Sequence, residues 1–250
     1  MRLAKLGDGP EIFHTIQGEG VSAGCPAVFI RASRCNLHCV WCDTDHTWNF
    51  IGTPWKHEKD TIPGYQKYIK SEVTVEVSAM EAANFILSFG CDRTVITGGE
   101  PLLQQDEFLE MMSLIRSQQP VHVFEIETNG TRLPTPEFES AVDQFNISPK
   151  LANAGMPETL RLNPEALKHF AQSPKAWFKF VVCQIQDLAE IEHLASFYQI
   201  PKARILLMPE GRTAAELNLS SSWLAGVCKN QGYRFCDRLH VRIWGDTRGV

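Results

Sequence analysis

The sequence predicts an α/β fold in which about six parallel strands and their helices form a partial, open barrel. Strand-like and helix-like segments alternate along most of the 250 residues, and this alternation is typical of βα units around a parallel sheet. The strands are too few for a closed eight-stranded barrel. The most unusual motifs follow directly after predicted strands, where parallel α/β folds gather their chemistry.

The predicted strands are runs of apolar and β-branched residues. The run that we expect to be the first strand is apolar apart from Arg31 and leads directly into a loop with three cysteines. The second ends in Gly98-Gly-Glu-Pro101, and the third ends in an Asn-Gly turn. In chain order, the predicted strands are 27–32, 93–97, 121–128, 142–148, 176–182 and 204–208.

Five helices are predicted between and after these strands. The clearest start is Ser78-Ala-Met-Glu81, a capping box, and Gly90 is the matching stop signal. In the second helix, Phe108, Met111, Met112 and Ile115 recur at helical spacing, which favours core positions over cofactor contacts. In chain order, the predicted helices are 78–89, 106–117, 163–172, 188–197 and 213–229.

The whole chain, residues 1–250, is expected to form a single domain. Residues 48–77 interrupt the alternation with prolines and aromatic residues, and we interpret them as an insertion that forms a helix or lid. The C-terminal segment 238–250 has an ordered composition around Ile243-Trp-Gly245. We expect it to cap the substrate, although a frayed end is the usual fate of a terminus.

Bulk composition excludes several classes of function. The formal net charge is −5 and basic runs are absent, which argues against a nucleic-acid surface. No apolar stretch is long enough to span a membrane, and the N-terminus lacks the features of a secretion signal. We therefore expect a cytoplasmic protein. Its eight cysteines are irregularly spaced, which argues against disulfides. Five of them are expected to be ordinary core or surface thiols: Cys25, Cys91, Cys183, Cys228 and Cys236.

Three cysteines in one loop are the most informative feature of the sequence. Cys35, Cys39 and Cys42 have the spacing C-x-x-x-C-x-x-C, which brings three thiolates to a single metal centre. A four-iron, four-sulfur cluster usually takes four thiolates, so three would leave one iron open. A structural zinc site completed by His38 or His46 is an alternative, and buried thiols without a ligand role are another. No second C-x-x-C pair supports zinc.

Two further motifs are polar and rich in glycine. Gly98-Gly-Glu-Pro101 lets a ligand approach the backbone closely, although such a run alone often makes only a turn. Residues 13–20 contain Gln17 and Glu19, whose amide and carboxylate suit the edge of a guanine-like ring. A polar hairpin without a binding role is the simpler interpretation of this second segment.

These motifs carry a resemblance to a known family. The cysteine loop resembles that of the radical S-adenosylmethionine (SAM) enzymes, and nearly the whole chain resembles the 7-carboxy-7-deazaguanine synthases. The shared elements, in order, are T-I-Q-G-E-G, Arg31, C-x-x-x-C-x-x-C-D-T, T-G-G-E-P, E-T-N-G, S-P-K and W-G-D-T-R-G-V.

The resemblance implies a radical-SAM-type barrel and a lyase reaction. Such enzymes convert 6-carboxy-5,6,7,8-tetrahydropterin to 7-carboxy-7-deazaguanine with loss of ammonia, on the route to queuosine and related deazapurines. The implied cofactors are a [4Fe-4S] cluster, SAM, which is regenerated in each cycle, and Mg²⁺. The implied partners are a small-molecule pterin and a flavodoxin-type reductant, and the implied assembly is a homodimer.

The resemblance also implies roles for individual residues, but no catalytic side chain. The implied metal ligands are Cys35, Cys39 and Cys42 for the cluster and Thr44 for magnesium, with a turn-capping role as the alternative for Thr44. The implied SAM contacts are Gly99, Glu100, Ser148, Pro149 and Lys150. The implied substrate contacts are Ile16, Gln17, Gly18, Arg31, Thr97, His240 and Val250. Glu127, Asn129 and residues 208–211 are weaker candidates for contacts with SAM.

Two other functions stay open on the sequence alone. A different radical SAM enzyme, such as an activase that places a radical on a glycine of a partner protein, would share the cysteines and the glycine motif. A zinc-stabilised binding module would share the cysteines without catalysis.

Overall fold

The computed structural model describes all residues, 1–250, and its centre is one sheet of eleven strands. Along the main path the strands follow the order β11-β10-β9-β8-β7-β6-β4-β1-β2, while β3 pairs with β4 and β5 pairs with β1. The strands are β1 Arg2–Leu6, β2 Gly9–Pro10, β3 Ile12–Ile16, β4 Pro26–Ala32, β5 Thr74–Glu76, β6 Arg93–Gly98, β7 Val123–Thr128, β8 Gln144–Ile147, β9 Ala176–Val182, β10 Ile205–Pro209 and β11 Arg234–Phe235.

The parallel part of the sheet confirms the predicted fold class. From β4 through β6, β7, β8, β9 and β10, each strand is parallel to its neighbour, and a two-residue strand, β11, extends the series. The sheet does not close, because β11 and β4 are not paired with each other. The six longer strands lie within a few residues of their predicted bounds.

The N-terminal strands are a correction to the sequence analysis. The run at 27–32 was expected to be the first strand, but it is the fourth, because β1, β2 and β3 precede it. β3 pairs antiparallel with β4 over five residues, from Ile12 opposite Ile30 to Ile16 opposite Pro26. These early strands are short and mix apolar with polar residues, so composition alone did not separate them from loops.

Nine helices accompany the strands, and the predicted capping box is present. Ser78 Oγ accepts a hydrogen bond from Glu81 N, while the Glu81 carboxylate accepts one from Ser78 N. None of the helices is both long and apolar enough to cross a bilayer. The helices are α1 Lys70–Val73, α2 Ala79–Leu87, α3 Gln105–Gln118, α4 Pro136–Ala141, α5 Glu158–Arg161, α6 Pro164–Gln172, α7 Asp187–Phe197, α8 Ala214–Gln231 and α9 Leu239–Trp244.

The core lies between the parallel strands and these helices. One cluster of 40 buried residues contains the apolar face of α3, and Phe108, Met111, Met112 and Ile115 are fully buried there. Their assignment to the core is therefore confirmed. With the helices packed on the outer face, the carboxyl ends of the strands are left for the N-terminal segment, the cysteine loop and the C-terminal tail.

Residues 48–77 contain little regular structure. They include a single 3₁₀ turn, Glu58–Thr61, followed by α1 and β5. The segment packs against the cysteine loop, because Glu58 N donates to Val40 O over 2.8 Å and His57 Nε2 lies 2.8 Å from Cys42 O. The 3₁₀ helices of the chain are Asp45–Thr47, Glu58–Thr61, Pro101–Gln104, Ala152–Ala154 and Lys202–Arg204.

Candidate active site

A cavity of about 270 Å³ lies at the carboxyl ends of the parallel strands. Its wall is built by the N-terminal segment, the cysteine loop, the strand ends and the last residues of the chain. Fourteen of the sixteen predicted site residues line it. They are Ile16, Gln17, Gly18, Arg31, Cys35, Cys39, Cys42, Thr44, Thr97, Gly99, Ser148, Lys150, His240 and Val250.

The three cysteines of the loop are free thiols that face this cavity. Burial raises the pKa of Cys35 and of Cys42, and it raises the pKa of Cys39 to about 12. The contacts of these sulfurs with the protein include a hydrogen bond of 3.4 Å from Leu37 N to Cys35 Sγ and no basic side chain bonded to a sulfur. Thiolates in such a place need a cationic partner, which the irons of a cluster provide.

The alternative zinc site does not have its ligands. No three His, Cys, Asp or Glu side chains converge closely enough to hold one metal ion. The His38 ring stacks on Trp55 with 3.9 Å between ring centroids, and His46 Nε2 lies 3.2 Å from a Glu11 oxygen. Both histidines are therefore engaged with other side chains, and neither completes the zinc site that the alternative requires.

The two glycines at the end of β6, Gly98 and Gly99, allow another part of the backbone of this protein to approach closely. A Cβ at Gly99 would overlap the carbonyl oxygen of Arg34, and one at Gly98, where φ is +127°, would overlap Ala32. Backbone bonds of 2.9 Å run from Gly99 N to Ala32 O and from Glu100 N to Arg34 O. The motif thus holds the start of the cysteine loop against the end of β6.

Glu100 and Pro149 are the two predicted SAM contacts that do not line the cavity. Glu100 is fully buried, and burial raises its pKa. Its carboxylate accepts hydrogen bonds from Leu102 N (3.0 Å), Thr128 Oγ1 (2.7 Å) and Asn129 N (2.8 Å). Glu100 therefore orients the turn after β7, and Thr128 and Asn129 themselves line the cavity.

Side chains of residues 148–150, which were predicted to contact SAM, interact with one another and with the cysteine loop. Lys150 Nζ donates to Ser148 Oγ over 2.9 Å and lies 5.5 Å from the centre of the Trp41 ring. Arg161 Nη1 donates to Lys150 O over 2.8 Å. Lys150 also contributes positive charge near Cys39, which favours an anionic group at this part of the cavity.

A buried ionic network on the cavity wall was not found from the sequence. Lys179 Nζ lies 2.6 Å from Glu19 Oε2 and 2.8 Å from Glu127 Oε2. Arg238 Nε lies 2.9 Å from Glu19 Oε1, and another of its nitrogens bonds Asp43. The available signal was a single lysine in the otherwise apolar strand Ala176–Val182.

The network separates the pKa values of its two glutamates. Burial alone would raise the pKa of Glu19, but the charges of Lys179 and Arg238 outweigh it and hold this pKa far below its usual range. Burial raises the pKa of Glu127, and Lys179 offsets only part of this effect. Burial also lowers the pKa of the neighbouring His240. The wall thus presents an ionised Glu19 beside a neutral imidazole.

The N-terminal segment is held tightly between the sheet and the tail. Gln17 is buried, its Nε2 lies 3.4 Å from a Glu127 oxygen, and its Oε1 accepts from Glu19 N over 3.2 Å. Gly18 has no room for a side chain, because the His240 ring occupies that space. Gly18 O also accepts from Leu239 N over 2.8 Å, so α9 lies directly on this segment.

Arg31 and Thr44 lie near the cysteine loop. Arg31 Nε donates to Glu11 Oε1 over 2.7 Å. Thr44 Oγ1 lies 3.5 Å from Cys42 Sγ, so its hydroxyl faces the same cavity as the cysteines. A hydroxyl oxygen there suits a hard cation such as Mg²⁺.

Comparisons with known proteins agree with this geometry. Residues 29–171 match the family described as the radical SAM superfamily. The 7-carboxy-7-deazaguanine synthase of Pyrobaculum aerophilum is 35% identical over 241 residues, which cover 96% of this chain and 95% of that protein. The chain belongs to the 7-carboxy-7-deazaguanine synthase family.

Two further similarities cover the same length. The 7-carboxy-7-deazaguanine synthase of Halobacterium salinarum is 33% identical over 96% of this chain and 93% of that protein. The crystal structure of QueE from Escherichia coli superposes with a TM-score of 0.64 at 26% identity and covers 92% of both chains. A member of this radical SAM family uses a [4Fe-4S] cluster and SAM and acts on a small molecule. The activase and the zinc module receive no support.

Proposed function

We propose that this protein converts 6-carboxy-5,6,7,8-tetrahydropterin into 7-carboxy-7-deazaguanine with loss of ammonia. One observation carries the proposal: residues 16–18, the cysteine loop and the tail, which are far apart in sequence, line the same cavity. An activase would need the cysteine loop, but it would have no use for the N-terminal segment and the tail around a small molecule.

The cofactors are assigned to one side of the cavity. Cys35, Cys39 and Cys42 would hold the cluster, whose open iron would receive the methionyl end of SAM. Gly99, Ser148 and Lys150 would contact SAM, while Glu100 and Pro149 would support them from behind the wall. When bound, the cluster and SAM would supply the radical chemistry that activates the C6–H bond of the pterin.

The substrate is assigned to the side formed by the N-terminal segment and the tail. Arg31 would receive the substrate carboxylate, because only its Nε is bonded to the protein and a guanidinium fork matches a carboxylate. Ile16, Gln17, Gly18 and Thr97 would contact the pterin ring. The remaining substrate contacts are assigned to the neutral imidazole of His240 and to Val250, and Thr44 is assigned to Mg²⁺.

Enclosure is the main contribution of the protein to radical chemistry. A primary alkyl radical reacts with any nearby hydrogen donor, so the target hydrogen must be held in position and water excluded. The substrate-capping tail at 238–250 and the insertion at 48–77 would supply this enclosure, both as parts of a single radical SAM domain. In this arrangement the side chains bind and orient, while the cofactors carry the difficult step.

The partners and the compartment complete the proposal. A flavodoxin-type reductant would deliver the electron, the chain would form a homodimer, and the reaction would take place in the cytoplasm. Membership of the family and the free state of all eight cysteines support this assignment.

An anaerobic assay of the reconstituted protein with SAM, reductant, Mg²⁺ and the pterin tests the reaction by mass spectrometry. The expected product is 7-carboxy-7-deazaguanine, and Cys39→Ala should abolish it. Cleavage of SAM to 5′-deoxyadenosine without this product would overturn the substrate and keep the radical chemistry. Neither product from cluster-loaded protein would overturn both.

A further inference from the structure

Glu11 is a fully buried carboxylate that does not line the cavity. It lies immediately before β3, and its two oxygens contact basic side chains from three separate parts of the chain. Arg31 is on β4, His46 is in the 3₁₀ turn after the cysteine loop, and Arg248 is in the C-terminal tail. No other carboxylate of the protein joins these three parts.

Each of the two carboxylate oxygens of Glu11 has its own partners. Glu11 Oε1 accepts from Arg31 Nε over 2.7 Å. Glu11 Oε2 accepts from Arg248 Nη2 over 2.5 Å and lies 3.2 Å from His46 Nε2. A backbone hydrogen bond of 3.1 Å, from Arg31 N to Glu11 O, joins the same two residues. Both lone-pair sides of the carboxylate are therefore occupied.

The charges keep Glu11 ionised without solvent. Burial alone would raise its pKa, but the charges of Arg31 and His46 and the hydrogen bond from Arg248 outweigh burial and lower the pKa far below its usual range. A buried charge that loses a partner is strongly destabilised. Loss of the contact with any one of the three partners would therefore destabilise the buried carboxylate of Glu11.

The contact with Arg248 decides where the tail lies. The same Arg248 nitrogen donates to Lys5 O over 2.9 Å, and Gly249 packs so tightly on Leu6 that a Cβ would overlap that side chain. Residues 245–250 all line the cavity. Glu11 and the N-terminal strands thus hold the tail in place as part of the cavity wall.

The contact with Arg31 decides which edge of its guanidinium faces the cavity. With Nε bonded to Glu11, the two Nη groups have no hydrogen-bond partner in the protein, and Arg31 lines the cavity. An unpaired fork of this kind binds a carboxylate through two parallel hydrogen bonds. One buried group therefore orients the anion receptor and holds the tail.

We propose that Glu11 is a positioning residue that couples closure of the tail over the cavity to the orientation of Arg31 toward a carboxylate ligand. The inference rests on the proposed function for the identity of that ligand, the 6-carboxylate of the pterin. A ligand carboxylate on Arg31 strengthens the arrangement around Glu11 and slows the opening of the tail. By reciprocity, loosening the tail weakens the binding of the carboxylate.

The test compares Glu11→Gln with wild type and with Asp143→Asn, all cluster-loaded and with SAM under anaerobic conditions. Gln keeps the shape of Glu and removes its charge. Asp143 is a control for removing a hydrogen-bonded carboxylate away from the cavity, because it accepts hydrogen bonds of 2.7 Å from Arg116 Nη2 and from Phe124 N, and neither partner lines the cavity. The readouts are amide hydrogen exchange of residues 239–250 and the dissociation constant and KM of the pterin.

Glu11→Gln should speed hydrogen exchange of the tail and raise the pterin Kd and KM roughly tenfold to a hundredfold, the range for loss of a charged hydrogen bond. Cleavage of SAM without the pterin should be unchanged, because the cluster side of the cavity is intact. Asp143→Asn should match wild type in all these readouts. Wild-type tail exchange and pterin Kd in Glu11→Gln would overturn the proposal.

A second variant keeps the test decisive if Glu11→Gln does not fold. Arg248→Met removes only the tail contact and leaves Arg31 and His46 on Glu11. It should speed tail exchange and weaken pterin binding in the same direction, and no change in either would overturn the coupling. If wild type neither binds nor converts the pterin, the proposed function fails. Unchanged tail exchange in both variants would separately refute the role of Glu11 in holding the tail.

Discussion

Replacing Gly18 with alanine tests whether the tail helix and the N-terminal segment form one binding wall. Gly18 does not have a left-handed φ, so alanine is compatible with its backbone. The new Cβ would overlap His240 Nδ1 and lie 2.7 Å from His240 Cγ and 3.0 Å from His240 Cβ. Rotating the imidazole cannot relieve the contact with its own Cβ, so α9 must move away from the segment.

The size of the effect follows from the cost of overpacking. Forcing an extra methyl group into a filled site costs about 1–3 kcal/mol. If this cost falls on the closed, substrate-binding arrangement, KM for the pterin rises roughly fivefold to a hundredfold. Unfolding free energy should drop by no more than the same amount, because α9 can shift outward and retain its own hydrogen bonds.

The assay is a double-mutant cycle of Gly18→Ala and His240→Ala, scored by KM and by urea denaturation. Removing the imidazole makes room for the new methyl group, so the double variant should be no worse than His240→Ala alone, and the two changes should be non-additive by about 1–3 kcal/mol. Gly9→Ala is the control, because no atom lies within 4 Å of its new Cβ. It should leave KM unchanged.

Two results would refute this reasoning. One is a Gly18→Ala protein with wild-type KM and stability, which would mean that α9 does not lie on the segment. The other is strict additivity in the cycle, which would mean that the methyl group acts through something other than the His240 ring.

Three further predictions address other parts of the molecule. Cys39→Ala should lose the cluster iron and sulfide, whereas the exposed-thiol control Cys183→Ala should keep them, as measured by iron and sulfide analysis. Gly98→Ala should lower the free energy of unfolding by about 3 kcal/mol or more in urea titrations, because φ is +127° and Ala32 backbone atoms fill the space. Burial lowers the pKa of His122 to about 4, so stability should be full above pH 6.5 and fall by up to about 3 kcal/mol as the pH drops toward 4. His122→Gln should remove that part of the pH dependence, and a wild-type dependence in the variant would contradict the assignment.

Much of the fold was predictable because its signals are local. The parallel strands are short apolar runs between turn residues, and the helix that begins after Ser78 has both halves of its capping box within four residues. The antiparallel strands β1–β3 escaped prediction because they are short and none of them is a continuous apolar run. β1 and β3 pair with β4, and β2 pairs with β1. This pairing stabilises the three strands, and their own composition does not reveal it.

The candidate site was predictable in its residues more than in its interactions. Fourteen of the sixteen predicted residues line one cavity, and their individual roles stay predictions. The glycines at the end of β6, Gly98 and Gly99, were expected to admit a ligand, but backbone atoms of Ala32 and Arg34 occupy the space beside them. The sequence cannot show which atoms will fill the space beside a glycine.

The sequence by itself determined the class of chemistry, because the spacing of Cys35, Cys39 and Cys42 within one loop is a local property of the chain. Only the tertiary structure decided which charges face one another. Glu19 meets Lys179 across 160 positions and Arg238 across 219, and Glu11 meets Arg248 across 237. Burial makes these long-range pairs strong, and burial exists only once the chain has folded around them.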